Sequence, residues 1–278
     1  MAVLPQFYLD AVVAIGIQLP DGNKHWIGTG FIVGRKEDVD KSLSTFYMIT
    51  NKHVLQKQKK VLFRFNSIDG KISRDYPVPL YENGVPLFSI HPDNDVDIVA
   101  IQLIPMTLIN DNSAWAAFDL EDNALTLQTM QDTGVEEGSL VYALGFPMNL
   151  VEDIKTPICR LGCISRIRNA FLNKSINSTF LIDAAVFPGN SGGPIISRPE
   201  IISIEGTPSN TNSCLIGILS AYIPYKNILI SQQTGEAQMV QTENSGLTIV
   251  YPVDRIKEVV ELEKQRTSNI RLNSNVNK

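Results

Sequence analysis

Three histidines and three cysteines are all that the 278 residues contain of the side chains most used to bind transition metals. Thiols so few, and odd in number, do not form the disulfide framework of a small secreted domain. Cys159 and Cys163 lie close in sequence, but Pro157 and Gly162 disfavour a helix there. On a strand the two thiols share a face about 13 Å apart, too far to hold one ion together. No cofactor and no metal are therefore expected. No run approaches the roughly 20 apolar residues needed to span a bilayer. No Lys or Arg precedes Lys24, and Asp10 stands before the first apolar run, so no secretory leader is expected. The expectation is a cytoplasmic protein, or one whose leader has been cut away. The formal charge is only -5, and the densest basic cluster, Gln56-Lys57-Gln58-Lys59-Lys60, reads as a solvated turn. Nucleic acid and an anionic membrane surface are not expected as main partners.

What the chain does have is a succession of short strand-like segments separated by turn signals. Strands are expected near Val12–Leu19, Trp26–Val33, Phe46–Thr50, Val61–Phe65 and Ile98–Leu103. Later ones fit Leu140–Leu144, Thr156–Ile167, Thr179–Asp183, Gly193–Ser197, Leu215–Ala221 and Leu247–Tyr251. Breaks fall at Pro20–Asn23, Ser67–Gly70 and Pro77–Pro86, and a stretch rich in Asn, Asp and Thr joins the two halves. One helix is expected after Pro252, with Val253, Ile256, Val259 and Val260 on one face and Asp254 in its first turn. The domain expectation is 1–110, a connector 111–136, 137–265, and a loose polar tail 266–278. Two polar insertions, Arg198–Cys214 and Pro224–Ser245, read either as binding loops or as tolerated surface excursions.

The densest chemical signal is Pro188-Gly189-Asn190-Ser191-Gly192-Gly193-Pro194. A serine hydroxyl is a weak nucleophile and needs a base and an orienting acid. Gly189-Asn190-Ser191-Gly192-Gly193 also matches the G-x-S-x-G elbow, which demands the chain order Ser, acid, His. His25, His53 and His91 all precede Ser191, so that reading fails. The order Asp, His, Ser calls for a parallel sheet with many helices, which this chain does not offer. There remain His53, Asp97 and Ser191, with Asp95 as a less well placed acid beside the apolar Ile98-Val99-Ala100 segment.

Four segments in this order carry a family resemblance: Gly28-Thr29-Gly30-Phe31-Ile32-Val33, Thr50-Asn51-Lys52-His53-Val54, Asp97-Ile98-Val99-Ala100, and Asp183 through Pro194. Over roughly residues 8 to 260 the chain resembles trypsin/chymotrypsin-like serine proteases, and is most similar to the bacterial HtrA-type branch without its PDZ domain. The resemblance implies an all-β fold of two antiparallel β-barrels of the chymotrypsin type, with the active site in the cleft between them, plus a C-terminal helix. It implies Ser191 as nucleophile, His53 as general base and Asp97 as orienting acid. It further implies an oxyanion hole from the backbone amides of Gly189 and Ser191. The partners so implied are a protein or peptide substrate and a regulatory protein. The rival expectation is a protease-like scaffold that binds polypeptides and is inactive until a partner switches it on.

Departures from the family sharpen the reading. Asn190 stands where zymogen-activated trypsins carry an acid, so activation by a buried new N-terminus is not expected. Ile32-Val33-Gly34-Arg35 resembles an activation sequence, but it follows Phe31 and overlaps an expected strand. By resemblance Ala185 lies at the base of the S1 pocket, and Ser220, Ala221 and Tyr222 form a wall. With no carboxylate at that base, a small or medium apolar P1 residue is expected.

Overall fold

The computed structural model describes residues 4–172, 179–200 and 211–276, with side chains through Ile270. A short helix α1 (Gln6–Ala11) leads into β1 (Val12–Gln18), β2 (Lys24–Lys36) and β3 (Ser44–Thr50). One helical turn, α2 (Lys52–Leu55), separates these from β4 (Lys60–Ser67) and β5 (Ser73–Pro79). Then follow β6 (Tyr81–Glu82), β7 (Val85–Pro86), β8 (Ser89–Ile90) and β9 (Val99–Leu103). The stretch between the halves holds α3 (Met106–Asn110), β10 (Ser113–Ala114), β11 (Phe118–Asp119) and α4 (Leu127–Thr133).

The second half comprises β12 (Leu140–Gly145), β13 (Ile158–Arg166), α5 (Arg168–Leu172), β14 (Phe180–Asp183) and β15 (Pro194–Ser197). It ends with β16 (Leu215–Ile230), β17 (Ala237–Pro252) and α6 (Val253–Val276).

Strand pairing makes two bodies. The first is a nine-stranded sheet with the path β10-β4-β1-β2-β3-β9-β8, to which β5 and β11 add at the side. The second is a closed barrel, β12-β13-β14-β17-β16-β15. This is the all-β class expected, with the C-terminal helix in place. Alternating strand residues supply the interiors: Ile32, Met48 and Phe63 fill the first body, and Ile182, Ile195 and Val250 the second. A third cluster joins them, with Phe31 and Ile49 from one side meeting Leu144, Ile218 and Ile256 from the other. Burial of this seam fixes how the loops of one body face those of the other.

Helix α6 buries Val253, Ile256, Val259 and Val260 as its apolar spacing demands. The expected loose tail from Arg266 is instead helix through Val276. Two facts explain this: no Gly or Pro follows Pro252, and Arg266 pairs with the fully buried Glu263. The Pro224–Ser245 insertion is not a loop either. It continues β16 and β17 as a projecting two-stranded ribbon, with Lys226 opposite Thr242 and Ile228 opposite Val240. The other insertion lies partly outside the described residues, at 201–210. Cys159 and Cys163 both stand on β13, as a strand, not a helix, would place them.

Candidate active site

His53 sits on α2 directly after β3, and Asp97 ends the loop from β8 to β9. Because β3 and β9 pair antiparallel, with Thr50 opposite Val99, the two loops emerge side by side. The Asp97 carboxylate grips His53 twice. Oδ2 lies 2.5 Å from the ring Nδ1, and Oδ1 accepts the His53 backbone N–H at 3.0 Å. The Asp97 carbonyl accepts from Asn51 Nδ2 at 2.7 Å and from Lys52 N at 3.4 Å. With Nδ1–H committed to a carboxylate, the neutral ring presents Nε2 as a bare acceptor. The acid loop is itself tied to the other body, since the Tyr251 hydroxyl donates to the Asp95 carbonyl at 2.5 Å. Burial pushes the Tyr251 phenol up, so it stays a donor.

Ser191 lies in the turn between β14 and β15. Its carbonyl accepts the Thr29 amide at 3.0 Å, and the Thr29 hydroxyl donates to the Gly189 carbonyl at 2.6 Å. The same hydroxyl accepts Phe146 N at 3.0 Å, and the Thr29 carbonyl accepts the Thr50 hydroxyl at 2.7 Å. Thr29 thus locks the serine turn to the strand that precedes His53. Gly192, at φ 85°, is forced: a Cβ there would lie 2.1 Å from the Thr29 carbonyl oxygen.

The Ser191 hydroxyl donates to the Ser220 carbonyl at 3.2 Å, and no hydrogen bond joins it to His53. Resting geometries of this kind are often loose before substrate arrives. Gly189 has φ 98°, and a Cβ on it would meet the Phe146 carbonyl oxygen at 2.4 Å. The requirement for glycine here is internal to the fold. Met148 N donates to the Pro188 carbonyl at 2.7 Å. Across a trans peptide the carbonyl and amide point opposite ways, so the Gly189 N–H is turned away from Met148. Among the described residues, neither that amide nor the Ser191 amide has a protein acceptor. Asn190 is fully buried and braces the turn, its Oδ1 accepting Phe187 N at 3.0 Å.

The remaining sequence candidates separate. Ala185 and Ala221 are exposed, Ser220 is buried with its carbonyl on Ser191, and Tyr222 leans on the barrel core. His91 is buried and structural, its Nε2 2.7 Å from Glu258 on α6. Ile32 and Val33 are fully buried inside β2, so the activation-like sequence is not open to cleavage in the folded chain. A cavity of about 210 Å³ lies beside α4, α5 and α6, and its lining includes none of the three candidate catalytic residues. Thr29, Asn51 and Tyr251 were not singled out from sequence, because their partners lie far along the chain. Among the described residues no cluster of His, Cys, Asp or Glu could hold a metal ion, and no helix is long and apolar enough to cross a membrane.

No curated protein matches the chain. Among solved structures it is similar to the MamO protease domain from Magnetospirillum magneticum in its apo form, at 16% identity and a TM-score of 0.49. That match covers 90% of this chain and 95% of that one. It is also similar to the Rv3671c protein from M. tuberculosis H37Rv, an inactive serine-to-alanine mutant, at 14% identity and a TM-score of 0.44. The coverage there is 95% of this chain and 90% of that one. The family profile described as a trypsin-like peptidase domain matches residues 28–200, more than half of the sequence, and the chain belongs to that family.

Proposed function

We propose that the protein is a serine endopeptidase acting through Ser191, His53 and Asp97. The observation that carries this reading is the double grip of Asp97 on His53 beside a serine turn whose two amides are unengaged. On substrate entry the Ser191 hydroxyl leaves the Ser220 carbonyl and turns to His53 Nε2. Ser191 Oγ attacks the scissile carbonyl as His53 takes its proton, and Asp97 stabilises the imidazolium. The oxyanion is received by the Gly189 and Ser191 amides, each worth roughly 3 kcal/mol to the transition state. His53 then protonates the leaving amine, and water, activated by the same nitrogen, hydrolyses the acyl-enzyme.

Ala185 and the Ser220-Ala221-Tyr222 segment offer no charge to a P1 side chain, which supports a small or medium apolar preference. One observation favours a second reading, a polypeptide-binding scaffold or latent enzyme awaiting a regulatory partner: the serine hydroxyl is bonded to Ser220, away from His53. A fluorophosphonate probe separates the two. Labelling of the wild type that disappears in Ser191→Ala and His53→Ala supports the peptidase. A folded wild type that takes up no label supports the scaffold.

A further inference from the structure

Where β16 and β17 leave the barrel they have only each other. From residue 237 to residue 244 the sole strand partner of β17 among the described residues is β16, so the other edge of β17 is unpaired. Residues 237–243 are all exposed, and they include no Pro and no Lys. The outer edge of β16 is different. Pro224 lacks an amide and Lys226 adds a charge, two devices that keep an edge from pairing. The ribbon thus has one blocked edge and one open edge.

Beside the open edge lies apolar surface. Ile228 pairs with Val240 and the next residue, Leu229, with Met239, so the two pairs point to opposite faces. These four side chains, with Tyr225 and Ile230, are all more than half exposed. A bare two-stranded ribbon is marginal in water, and three or more strands with an apolar face are needed for stability. The base of this one is nonetheless tied to the serine turn. Asn244 Nδ2 donates to the Val186 carbonyl at 2.5 Å, and Ala184 N to the Gly246 carbonyl at 3.1 Å.

We propose that the open edge of β17 pairs with the same edge of a second copy of this chain, making a four-stranded sheet of order β16-β17-β17-β16. Symmetry and charge select this occupant, because the edge is its own complement. A two-fold axis normal to the sheet makes the two β17 strands antiparallel and sets one residue opposite itself. With Val240 on the axis, the pairing uses the whole stretch 237–243, about 23 Å. Glu243 then faces Ala237 of the second copy and Glu236 faces its Asn244, so no like charges meet. An axis at Glu236 or Glu243 would set two carboxylates side by side. Directly opposed residues share a face, so Ile228 and Val240 of one copy continue into Val240 and Ile228 of the other. One apolar row crosses all four strands. This reading stands whether or not Ser191 is a nucleophile.

The test uses full-length Ser191→Ala protein, which cannot cut itself. Sedimentation velocity should show a dimer that dissociates on dilution. Val240→Lys brings two ammonium groups together at the axis and should weaken the dimer at least tenfold, and Val240→Glu should do the same. Mixing the two variants sets Lys against Glu and should restore the dimer, which misfolded ribbons could not do. A disulfide reports the register. With the accessible Cys159 and Cys163 replaced by serine, the Val240→Cys protein should cross-link two chains on oxidation. Ile228→Cys should not, because three strand spacings, about 14 Å, separate that residue from its copy. A protein that stays monomeric at about 100 μM overturns the proposal, even if its ribbon captures an added strand-forming peptide. So does a dimer indifferent to Val240→Lys, or one that cross-links through Ile228→Cys in preference to Val240→Cys.

Discussion

The Thr29 hydroxyl donates to the carbonyl of Gly189 at 2.6 Å while accepting the amide of Phe146 at 3.0 Å. One side chain from the first body thus bridges two loops of the second, on either side of the peptide that orients the Gly189 amide. Thr29→Val keeps the shape and removes both bonds, leaving a buried amide without an acceptor. The expected cost is about 1–3 kcal/mol of stability. Fluorophosphonate labelling should slow at least tenfold, with Thr29→Ser close to wild type. Labelling of Thr29→Val at the wild-type rate would count against a positioning role.

Asp97→Asn should leave the fold intact and lower turnover on the order of 10⁴-fold. An amide at that position can offer its NH2 group to the ring, which favours the tautomer with the proton on Nε2 and removes the acceptor Ser191 needs. Steady-state kinetics on a cleavable peptide, alongside a thermal melt, checks this. A loss of activity matched by a collapse of the melting temperature would mean that Asp97 chiefly supports the loop.

Lys155 gives a pH signature. Its ammonium is buried, with Nζ donating to the Val12 carbonyl at 2.5 Å, and burial pushes its pKa down to about 8, partly offset by Asp10. Unfolded, the group titrates near 10.4, so between pH 8 and 10 the unfolded chain holds more protons than the native one. The penalty of the buried charge is therefore fully present below pH 8 and is relieved as pH rises. Buried tyrosines such as Tyr47, pushed up to about 12, act in the opposite sense at higher pH. Comparison with Lys155→Met isolates the lysine. From pH 8 to 10, the wild-type unfolding free energy minus that of the variant should rise; a flat difference refutes the assignment.

Glu263 is fully buried on α6. Its Oε1 accepts Gln102 N at 3.1 Å, its Oε2 accepts the Ser89 hydroxyl at 2.7 Å, and Arg266 neutralises it. Glu263→Leu strands all three partners and should cost about 3–5 kcal/mol in urea denaturation. Glu263→Gln keeps part of the network and should cost less.

Most strands of the two bodies were legible because each carries a local pattern, and so was α6, whose four apolar residues repeat at helical spacing. Strand β5, with no fully buried residue and prolines at 77 and 79, reached into an expected break, and the short β6 and β7 lay within it. The candidate triad was legible from chain order, which rejected the G-x-S-x-G elbow without any structure. Thr29 was not, because a threonine between two glycines reads as ordinary strand and its partners stand 117 and 160 residues away. The ribbon was missed for a different reason: its apolar residues face water, so burial imposes no pattern and the stretch passes for a polar insertion. The helical continuation past Arg266 was hidden by a polar composition that only the buried Glu263 makes intelligible.

The grip of α6 on the first body has a consequence for how the chain is made. His91, which shapes the loop carrying Asp97, is bonded to Glu258, a residue 167 positions later. At 5–20 residues per second, the acid loop waits on the order of ten seconds or more on the ribosome before its brace emerges. The first body can collapse early, but the loop that carries Asp97 is braced only once α6 has been made. The order of synthesis therefore sets an order of assembly: the loop that carries Asp97 gains its α6 partner only after the strands of both bodies have been made.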